Sequence, residues 1–193
     1  MSLQELVDNN YTDKNTAHSY LSLYQPLLES MKDRTKNMLE VGIGSFGGDI
    51  LMWSNFFQNA NIYAVDILPG VEVIESVRNK NNIVLYHSTN GYDEEFVNRE
   101  FVNKGIKFDI LLDDGSHVLN DMKEFIRLYS PLIAENGILM IEDVQRIEWF
   151  QELINSTPDN LKQYIKCYDL RKNKGRWDDL VFTIDMRTIS PKF

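Results

Sequence analysis

Short apolar runs alternate with longer amphipathic segments along most of this 193-residue chain. The apolar runs predict strands at 37–41, 61–66, 83–86, 108–113 and 137–142. The intervening segments carry apolar residues at helical spacing and predict helices at 48–57, 71–79, 93–103 and 116–134. A further helix is predicted at 12–34, where Pro26 would kink or split it. Because parallel strands are joined by right-handed crossovers through helices, this alternation predicts a doubly wound α/β sheet.

The C-terminal part follows a different pattern. Strand-like segments at 164–170 and 180–186 are separated only by the sequence RKNKGRWDD, which is too short for a crossover helix and predicts an antiparallel hairpin. The expected fold is therefore α/β and Rossmann-like, with a mostly parallel seven-stranded sheet that ends in a C-terminal antiparallel hairpin. At this length we expect a single domain over 1–193, with 1–35 as an N-terminal helical extension.

A glycine motif follows the first predicted strand. The sequence EVGIGSFG at 40–47 contains GxGxxG, with Gly42 and Gly44 as its first two glycines, and Asp66 ends the next strand. In a dinucleotide site such glycines let the backbone approach a pyrophosphate, while the acid accepts hydrogen bonds from ribose hydroxyls. Asp66 would suit any cofactor that carries a ribose. The alternative interpretation is a tight turn that uses glycine only for its geometry.

Two apolar runs end in pairs of acids. Asp113 and Asp114 close the run at 108–113, and Glu142 and Asp143 close the run at 137–142. The carboxyl ends of adjacent parallel strands share one edge, where open α/β sheets bind ligands, so these acids should converge. Because close carboxylates repel each other, the cluster calls for a cation, and an all-oxygen donor set favours Mg²⁺, Mn²⁺ or Ca²⁺ over zinc.

His117 stands three residues after Asp114, at the predicted start of a helix for which Ser116 is a candidate N-cap. The helix dipole and a metal would lower its pKa, whereas the carboxylates would raise it, so the direction does not follow from the sequence. A neutral imidazole here could act as a general base. The alternative is that the acids cap helices and the histidine is a hydrogen-bonded structural residue.

The composition of the chain indicates which kinds of molecule it binds. A net charge of −9 and a pI near 4.8 disfavour binding to nucleic acid or to an anionic membrane, so we expect a small-molecule partner. The single cysteine, Cys167, cannot form an internal disulfide and is predicted to be buried in a strand. The N-terminal sequence lacks a signal-peptide pattern, and no apolar run reaches membrane-spanning length, so a cytoplasmic location is expected.

The motifs resemble those of a known family. Glu40, two positions before the first glycine, resembles the ExGxG signature of class I S-adenosylmethionine-dependent methyltransferases, whose sheet also ends in an antiparallel hairpin. The sequences DDGSH at 113–117 and IED at 141–143 are similar to those of the magnesium-dependent sugar O-methyltransferases of macrolide biosynthesis, the mycinamicin type. The segments TDK at 12–14, MW at 52–53 and KGRWDD at 174–179, with His18 and Tyr20, also resemble that group.

This resemblance implies a role for each matching residue. The cofactor would be S-adenosylmethionine, and Mg²⁺ or Mn²⁺ would be bound by Asp114, Glu142 and Asp143, with His117 as the general base. The residues implied to face the cofactor are Glu40, Gly42, Gly44, Asp66, Ser88 and Asp113. The acceptor would be a hydroxyl of a sugar or similar vicinal diol. These 193 residues do not include the large N-terminal domain of that family, which leaves acceptor and assembly open, although the resemblance favours a homo-oligomer.

Two other functions remain at this point. An NAD-dependent oxidoreductase is supported by GxGxxG and Asp66 but opposed by Glu40, the hairpin and the four acids. A cofactor-binding module without turnover is the non-enzymatic alternative. Within the methyltransferase interpretation, a phenol or small carboxylic acid could replace the sugar.

Overall fold

Seven strands form one sheet in a computed structural model of the protein, which describes residues 1–70 and 72–187. The strands are β1 (Asn37–Val41), β2 (Asn61–Val65), β3 (Ile83–Tyr86), β4 (Phe108–Asp113), β5 (Ile133–Ile141), β6 (Ile165–Asp169) and β7 (Leu180–Asp185). Their order is β3-β2-β1-β4-β5-β7-β6. The first five are parallel, and β7 is antiparallel to both β5 and β6. The predicted Rossmann-like sheet with its C-terminal hairpin is confirmed.

Helices precede the first strand and lie between the later ones. They are α1 (Leu3–Leu6), α2 (Tyr20–Leu28), α3 (Gly48–Phe56), α4 (Glu75–Arg78), α5 (Glu94–Val97), α6 (Leu119–Tyr129), α7 (Trp149–Ser156) and α8 (Arg171–Lys174). A π-helical stretch, Asn98–Val102, extends α5, so the predicted helix at 93–103 is present. Among the described residues, none of the helices is both long and apolar enough to cross a bilayer.

Strand periodicity distributes the core over both faces of the sheet. On β4, Ile110 and Leu112 belong to one hydrophobic cluster, whereas Leu111 between them belongs to the other. This alternation is the period of two that a strand imposes, and burial on both faces explains why the runs look continuously apolar in sequence. The N-terminal helix α2 packs into the first cluster through Tyr20, Tyr24 and Leu28 among others.

Several predicted boundaries were wrong. The N-terminal helix begins at Tyr20 rather than Thr12, and residues 12–18 form turns instead. The helix predicted from Ser116 begins at Leu119, and Ser116 accepts a hydrogen bond from the Val118 amide before the helix starts. The helix predicted from Val71 begins at Glu75, and Val71 itself lies outside the described residues. The prediction that Cys167 is buried was also wrong. Cys167 is exposed because β6 is an edge strand of the sheet.

The strand order brings the two acid pairs together. Val41, Asp113 and Ile141 are register partners at the carboxyl ends of β1, β4 and β5. The glycine loop after β1, the DDGSH sequence after β4 and the acids after β5 therefore lie side by side. This edge of the sheet carries the site described next.

Candidate active site

A cavity of about 790 Å³ opens at the carboxyl ends of the parallel strands. Its wall consists of the loops that follow β1, β2, β3 and β4, together with a segment near the N-terminus. The residues of that wall are 9–13, 16, 41–46, 49, 65–68, 89–92, 114–117 and 121. This is the crevice in which open α/β sheets bind ligands.

The glycine motif has two distinct functions in this wall. Gly42 has φ +97°, and a Cβ there would lie 1.9 Å from the Asp114 carbonyl oxygen, so only glycine lets the loop after β1 pass the loop after β4. Gly44 has φ +63°, and a Cβ there would meet no atom within 4 Å. Gly42 is therefore needed for packing, while Gly44 leaves open space beside the cavity.

Asp66 binds the glycine loop. One of its oxygens accepts hydrogen bonds from the amides of Ile43 (2.7 Å) and Gly44 (3.0 Å), and the other accepts from the Leu68 amide (2.7 Å). Since a carboxylate can accept about four hydrogen bonds, Asp66 has capacity left for a ligand in the cavity that it lines. Its three backbone bonds fix the shape of that wall.

Three other predicted cofactor residues are not among the described residues of the cavity wall. Glu40 is fully buried and accepts a hydrogen bond from the Trp53 indole nitrogen at 2.8 Å. Ser88 has φ +50°, and its amide bonds to the Leu68 carbonyl, while its neighbours Thr89 and Asn90 reach the wall.

Asp113 is the third of these residues, and it joins two loops. Its Oδ1 accepts hydrogen bonds from the Tyr92 hydroxyl (2.6 Å) and the Gly115 amide (3.3 Å). The Tyr92 hydroxyl in turn accepts from the Ser116 amide at 3.2 Å. Burial raises the pKa of Asp113 to about 7. Tyr92 thereby links the loop after β3 to the segment that carries His117.

Asp114, His117 and Asp143 form a compact group of donors. His117 Nε2 lies 3.3 Å from Asp114 Oδ1 and 3.4 Å from Asp143 Oδ2. One ligand atom from each of the three lies within 4.8 Å of the other two, as expected for donors around one ion. The two carboxylates are oxygen ligands of the kind that Mg²⁺ or Mn²⁺ prefers, whereas a structural zinc site is built from Cys and His ligands.

The charges of this group shift its pKa values in opposite directions. The hydrogen bond to Asp114 raises the pKa of His117 to about 9, and the Asp143 charge acts in the same direction against desolvation. Burial raises the pKa of Asp114, but the Lys14 charge and the His117 hydrogen bond outweigh it and lower that pKa to about 2. The pKa of His117 is therefore raised in the ligand-free protein, a direction that the sequence alone did not determine.

Glu142 lies deeper than the other acids. It is fully buried, accepts a hydrogen bond from the Tyr24 hydroxyl at 2.5 Å and contacts the Lys14 ammonium. Burial raises its pKa well above the ordinary value. Asp143 accepts a hydrogen bond from the Tyr20 hydroxyl at 2.5 Å. Two tyrosines of α2 thus orient the pair of acids after β5.

Lys14 is the central residue that the sequence reasoning missed. Its side chain is 1% exposed, and its ammonium lies 2.6 Å from Asp114, 3.3 Å from Glu40 and 3.6 Å from Asp49. The excess of acids at these strand ends was a signal for a buried cation. The sequence could not identify which lysine supplies it, because Lys14 lies 100 residues from Asp114.

His18 makes a second connection from the N-terminal segment. Its Nδ1 lies 2.7 Å from Asp179 and 3.3 Å from Asp143. Asp179 also accepts hydrogen bonds from the backbone amide and hydroxyl of Ser19. The segments TDK and KGRWDD, which are far apart in sequence, therefore meet beside the site.

Comparison with protein families finds no family model that matches the chain. Individual relatives do match. Mycinamicin VI 2''-O-methyltransferase of Micromonospora griseorubida is 27% identical over 158 residues, which are 76% of this chain and 37% of that protein. L-olivosyl-oleandolide 3-O-methyltransferase of Streptomyces antibioticus is 26% identical over 138 residues, 68% of this chain and 34% of that protein.

Solved structures show the same fold. The MycE methyltransferase from the mycinamycin biosynthetic pathway, in complex with Mg, SAH and mycinamycin VI, has a TM-score of 0.74 at 21% identity. The match covers 100% of this chain and 57% of that one. A fibrillarin pre-rRNA processing protein of Methanococcus jannaschii has a TM-score of 0.58 at 18% identity, covering 81% of this chain and 69% of that one.

These comparisons confirm the resemblance seen in the motifs, and they confirm the methyltransferase fold. The chain spans little more than a third of the two curated relatives, at 37% and 34% of their lengths.

Proposed function

We propose that this chain, whose fold is that of the class I methyltransferases and whose sequence relatives are sugar O-methyltransferases, transfers a methyl group from S-adenosylmethionine to a hydroxyl group with the help of a divalent metal. One observation carries the proposal. The cavity bounded by the glycine loop and Asp66 also has Asp114 and His117 on its wall. The proposed cofactor site and the proposed catalytic residues therefore line the same cavity.

The residues of the cavity fit the proposed cofactor. Asp66 has acceptor capacity for ribose hydroxyls, Gly44 leaves space beside it, and Thr89 and Asn90 offer polar groups on the loop after β3. When bound, S-adenosylmethionine supplies an electrophilic methyl group on a positively charged sulfur. The buried acids near the cavity suit that positive charge. Similarity to methyltransferases favours this cofactor over NAD, despite the literal GxGxxG sequence.

The donor set also fits a divalent cation. Asp114 and Asp143 would hold it, with Glu142 as the third carboxylate that the resemblance implies. When bound, such an ion lowers the pKa of a coordinated hydroxyl group and orients it. Burial raises the pKa values of Glu142 and Asp143, so a cation beside them would stabilise their charged forms.

His117 is proposed as the general base. A base must be neutral before it accepts a proton, yet its pKa of about 9 keeps His117 protonated at neutral pH in the ligand-free protein. That pKa depends on the negative charges of Asp114 and Asp143, so a cation shared by these carboxylates would return His117 toward its neutral form. The same two residues would then both hold the metal and control the base.

The acceptor is proposed to be a sugar or a similar polyol. The two curated relatives named above are, by name, O-methyltransferases of mycinamicin VI and of L-olivosyl-oleandolide. Vicinal hydroxyl groups would suit a site built around an oxygen-binding cation, because both can bind one ion. A small-molecule acceptor also agrees with the acidic composition of the chain.

Calorimetric titration tests the proposal. The protein is titrated with S-adenosylmethionine and, separately, with NAD, each with and without Mg²⁺. Binding of S-adenosylmethionine alone is expected, and an Asp66→Ala variant should weaken it at least about tenfold because the glycine loop loses its anchor. Exposed Asp159, which pairs only locally with Lys162, provides the Asp159→Ala control.

The other outcomes are equally informative. Binding of NAD instead would overturn the methyltransferase assignment. Binding of S-adenosylmethionine without turnover of any sugar acceptor would favour a cofactor-binding module. Activity that persists in EDTA would remove the metal from the proposal, and activity that persists in His117→Ala would remove the base.

A further inference from the structure

The segment 9–18, which we call the N-terminal strap, forms part of the cavity wall without being helix or strand. Residues 9–13 and 16 line the cavity. The strap passes close to the start of α3, where a Cβ on Gly48 would lie 2.5 Å from the Tyr11 carbonyl oxygen. The strap therefore belongs to the site, although its local structure consists only of turns.

Its own backbone holds the strap weakly. The amides of Thr16 and His18 donate to the Asp13 carbonyl, each at 3.0 Å, and the Tyr20 amide donates to the Lys14 carbonyl at 3.1 Å. These bonds are local, and among the described residues no backbone–backbone bond connects the strap to the sheet. The Asn15 and Thr16 carbonyls accept hydrogen bonds from the Lys174 side chain. The connection to the rest of the protein comes from side chains, of which Lys14 is the most buried.

Lys14 joins the strap to four separate elements of the fold. Its ammonium contacts Glu40 on β1, Asp49 on α3, Asp114 after β4 and Glu142 after β5. In the described part of the chain, Lys14 is the one cationic side chain within 4 Å of Glu40, Asp49 or Glu142. Removing one partner from a buried ion pair leaves the other charge uncompensated, which is strongly unfavourable.

We infer that Lys14 is a positioning residue for the cofactor site. It is the fixed cation that holds the N-terminal strap against the acids at the strand ends, and so sets the wall of the cavity formed by residues 9–13. This inference rests on the proposed function only in taking the cavity as the cofactor site. The anchoring itself is a property of the ligand-free protein.

Hydrogen exchange of the ligand-free protein in EDTA tests the anchoring. Lys14→Met keeps the length of the side chain but removes its charge, and it should speed exchange of the strap amides by about tenfold or more while β4 and β5 keep their protection. Lys14→Arg keeps the charge and should stay within about threefold of the wild type. Lys123→Met is the matched control, because Lys123 makes only an exposed pair with Glu152.

A second readout connects the strap to the cofactor. S-adenosylhomocysteine should bind Lys14→Met at least about tenfold more weakly than the wild type, whereas Lys123→Met should bind it normally. Equal strap exchange in Lys14→Met and the wild type would overturn the inference, as would acceleration spread evenly over the sheet. If Lys14→Met does not fold, the double variant Lys14→Met with Glu40→Gln removes a buried negative charge as well, and the same expectations apply.

The two proposals fail in different ways. If the wild type binds no S-adenosylhomocysteine but Lys14→Met frees the strap, the anchoring stands and the methyltransferase assignment fails. If the wild type binds it and Lys14→Met changes neither strap exchange nor affinity, the methyltransferase assignment stands and Lys14 has no positioning role.

Discussion

His117 and Lys14 show how single residues acquire their properties from distant parts of the chain. His117 adopts φ +55°, a left-handed conformation that is uncommon outside glycine, and this directs it toward Asp114 and Asp143. The sequence correctly indicated that the acids converge, because strand ends meet in a parallel sheet. The sequence could not indicate that the Lys14 ammonium lies among these acids, since no local pattern encodes its contact with Glu142, 128 residues away.

The protonation of His117 can be measured directly. In the ligand-free protein with EDTA, its imidazole should titrate near pH 9, because the hydrogen bond to Asp114 stabilises the charged form. Asp114→Asn should lower the midpoint, and so should added Mg²⁺. NMR of the imidazole protons reports this, with His117→Gln used to assign the signal. A midpoint near the ordinary value of 6.5 in the ligand-free protein would contradict the geometry.

Tyr92 gives a second residue-scale prediction. Its hydroxyl joins Asp113 to the Ser116 amide, so Tyr92→Phe should loosen the loop that carries His117 and reduce turnover about tenfold or more while the protein remains folded. Steady-state kinetics with the cofactor varied separates this effect from weaker cofactor binding. Tyr164→Phe, far along the chain in the segment before β6, is the control. Turnover unchanged in Tyr92→Phe would show that the bond does not position His117.

At the scale of elements, the strands were predictable and the segments leading into the site were not. Apolar runs with turn residues at their ends gave β1, β3 and β4 at their observed limits, because burial on both faces leaves a clear pattern. The N-terminal helix was predicted too early because Thr12 and Asn15 are acceptable N-cap residues. In the structure, the ion pairs of Lys14 and the contact between His18 and Asp179 hold these residues outside the helix, so tertiary contacts override local propensity.

The two glycines of the first loop provide a matched pair of variants. Gly42→Ala should destabilise the protein severely, by about 3 kcal/mol or more, because its Cβ would collide with the backbone of the loop after β4. Gly44→Ala should cost about 1 kcal/mol, since only its positive φ opposes a side chain. Urea denaturation of both variants measures the difference. Equal losses would mean that the two loops do not pack as closely as described.

At the scale of the whole molecule, the sheet concentrates buried acids at one edge while the chain as a whole is already acidic. The net charge is −9, and burial raises the pKa of Glu40, Glu142 and Asp113 above their ordinary values. This concentration was predictable from topology alone, because the carboxyl ends of adjacent parallel strands share one edge. The separation between acids on the cavity wall and acids behind it depends on side-chain burial, which the strand pattern does not specify.

This arrangement predicts how stability depends on pH without ligands. Folded Asp113 keeps its proton up to about pH 7 instead of 3.8, and folded His117 keeps its proton up to about pH 9 instead of 6.5. In both ranges the native state binds more protons than the unfolded state, so stability should fall as pH rises from about 4 to 9. Urea midpoints in EDTA measure this. Asp113→Asn should flatten the lower part of the curve and His117→Gln the upper part, whereas a rise in stability across this range would contradict the burial of these groups.

The strap also has a consequence for the order in which the protein is made. Lys14 and His18 are synthesised well before their partners, because Glu142 follows Lys14 by 128 residues and Asp179 follows His18 by 161 residues. During translation the strap therefore has no docking site until β5 and β7 have joined the sheet, whatever local structure forms earlier. A nascent or truncated chain without β7 can bury much of its core and still lack one wall of its cavity. Competence for ligand binding is thus reached only after β7 has been made.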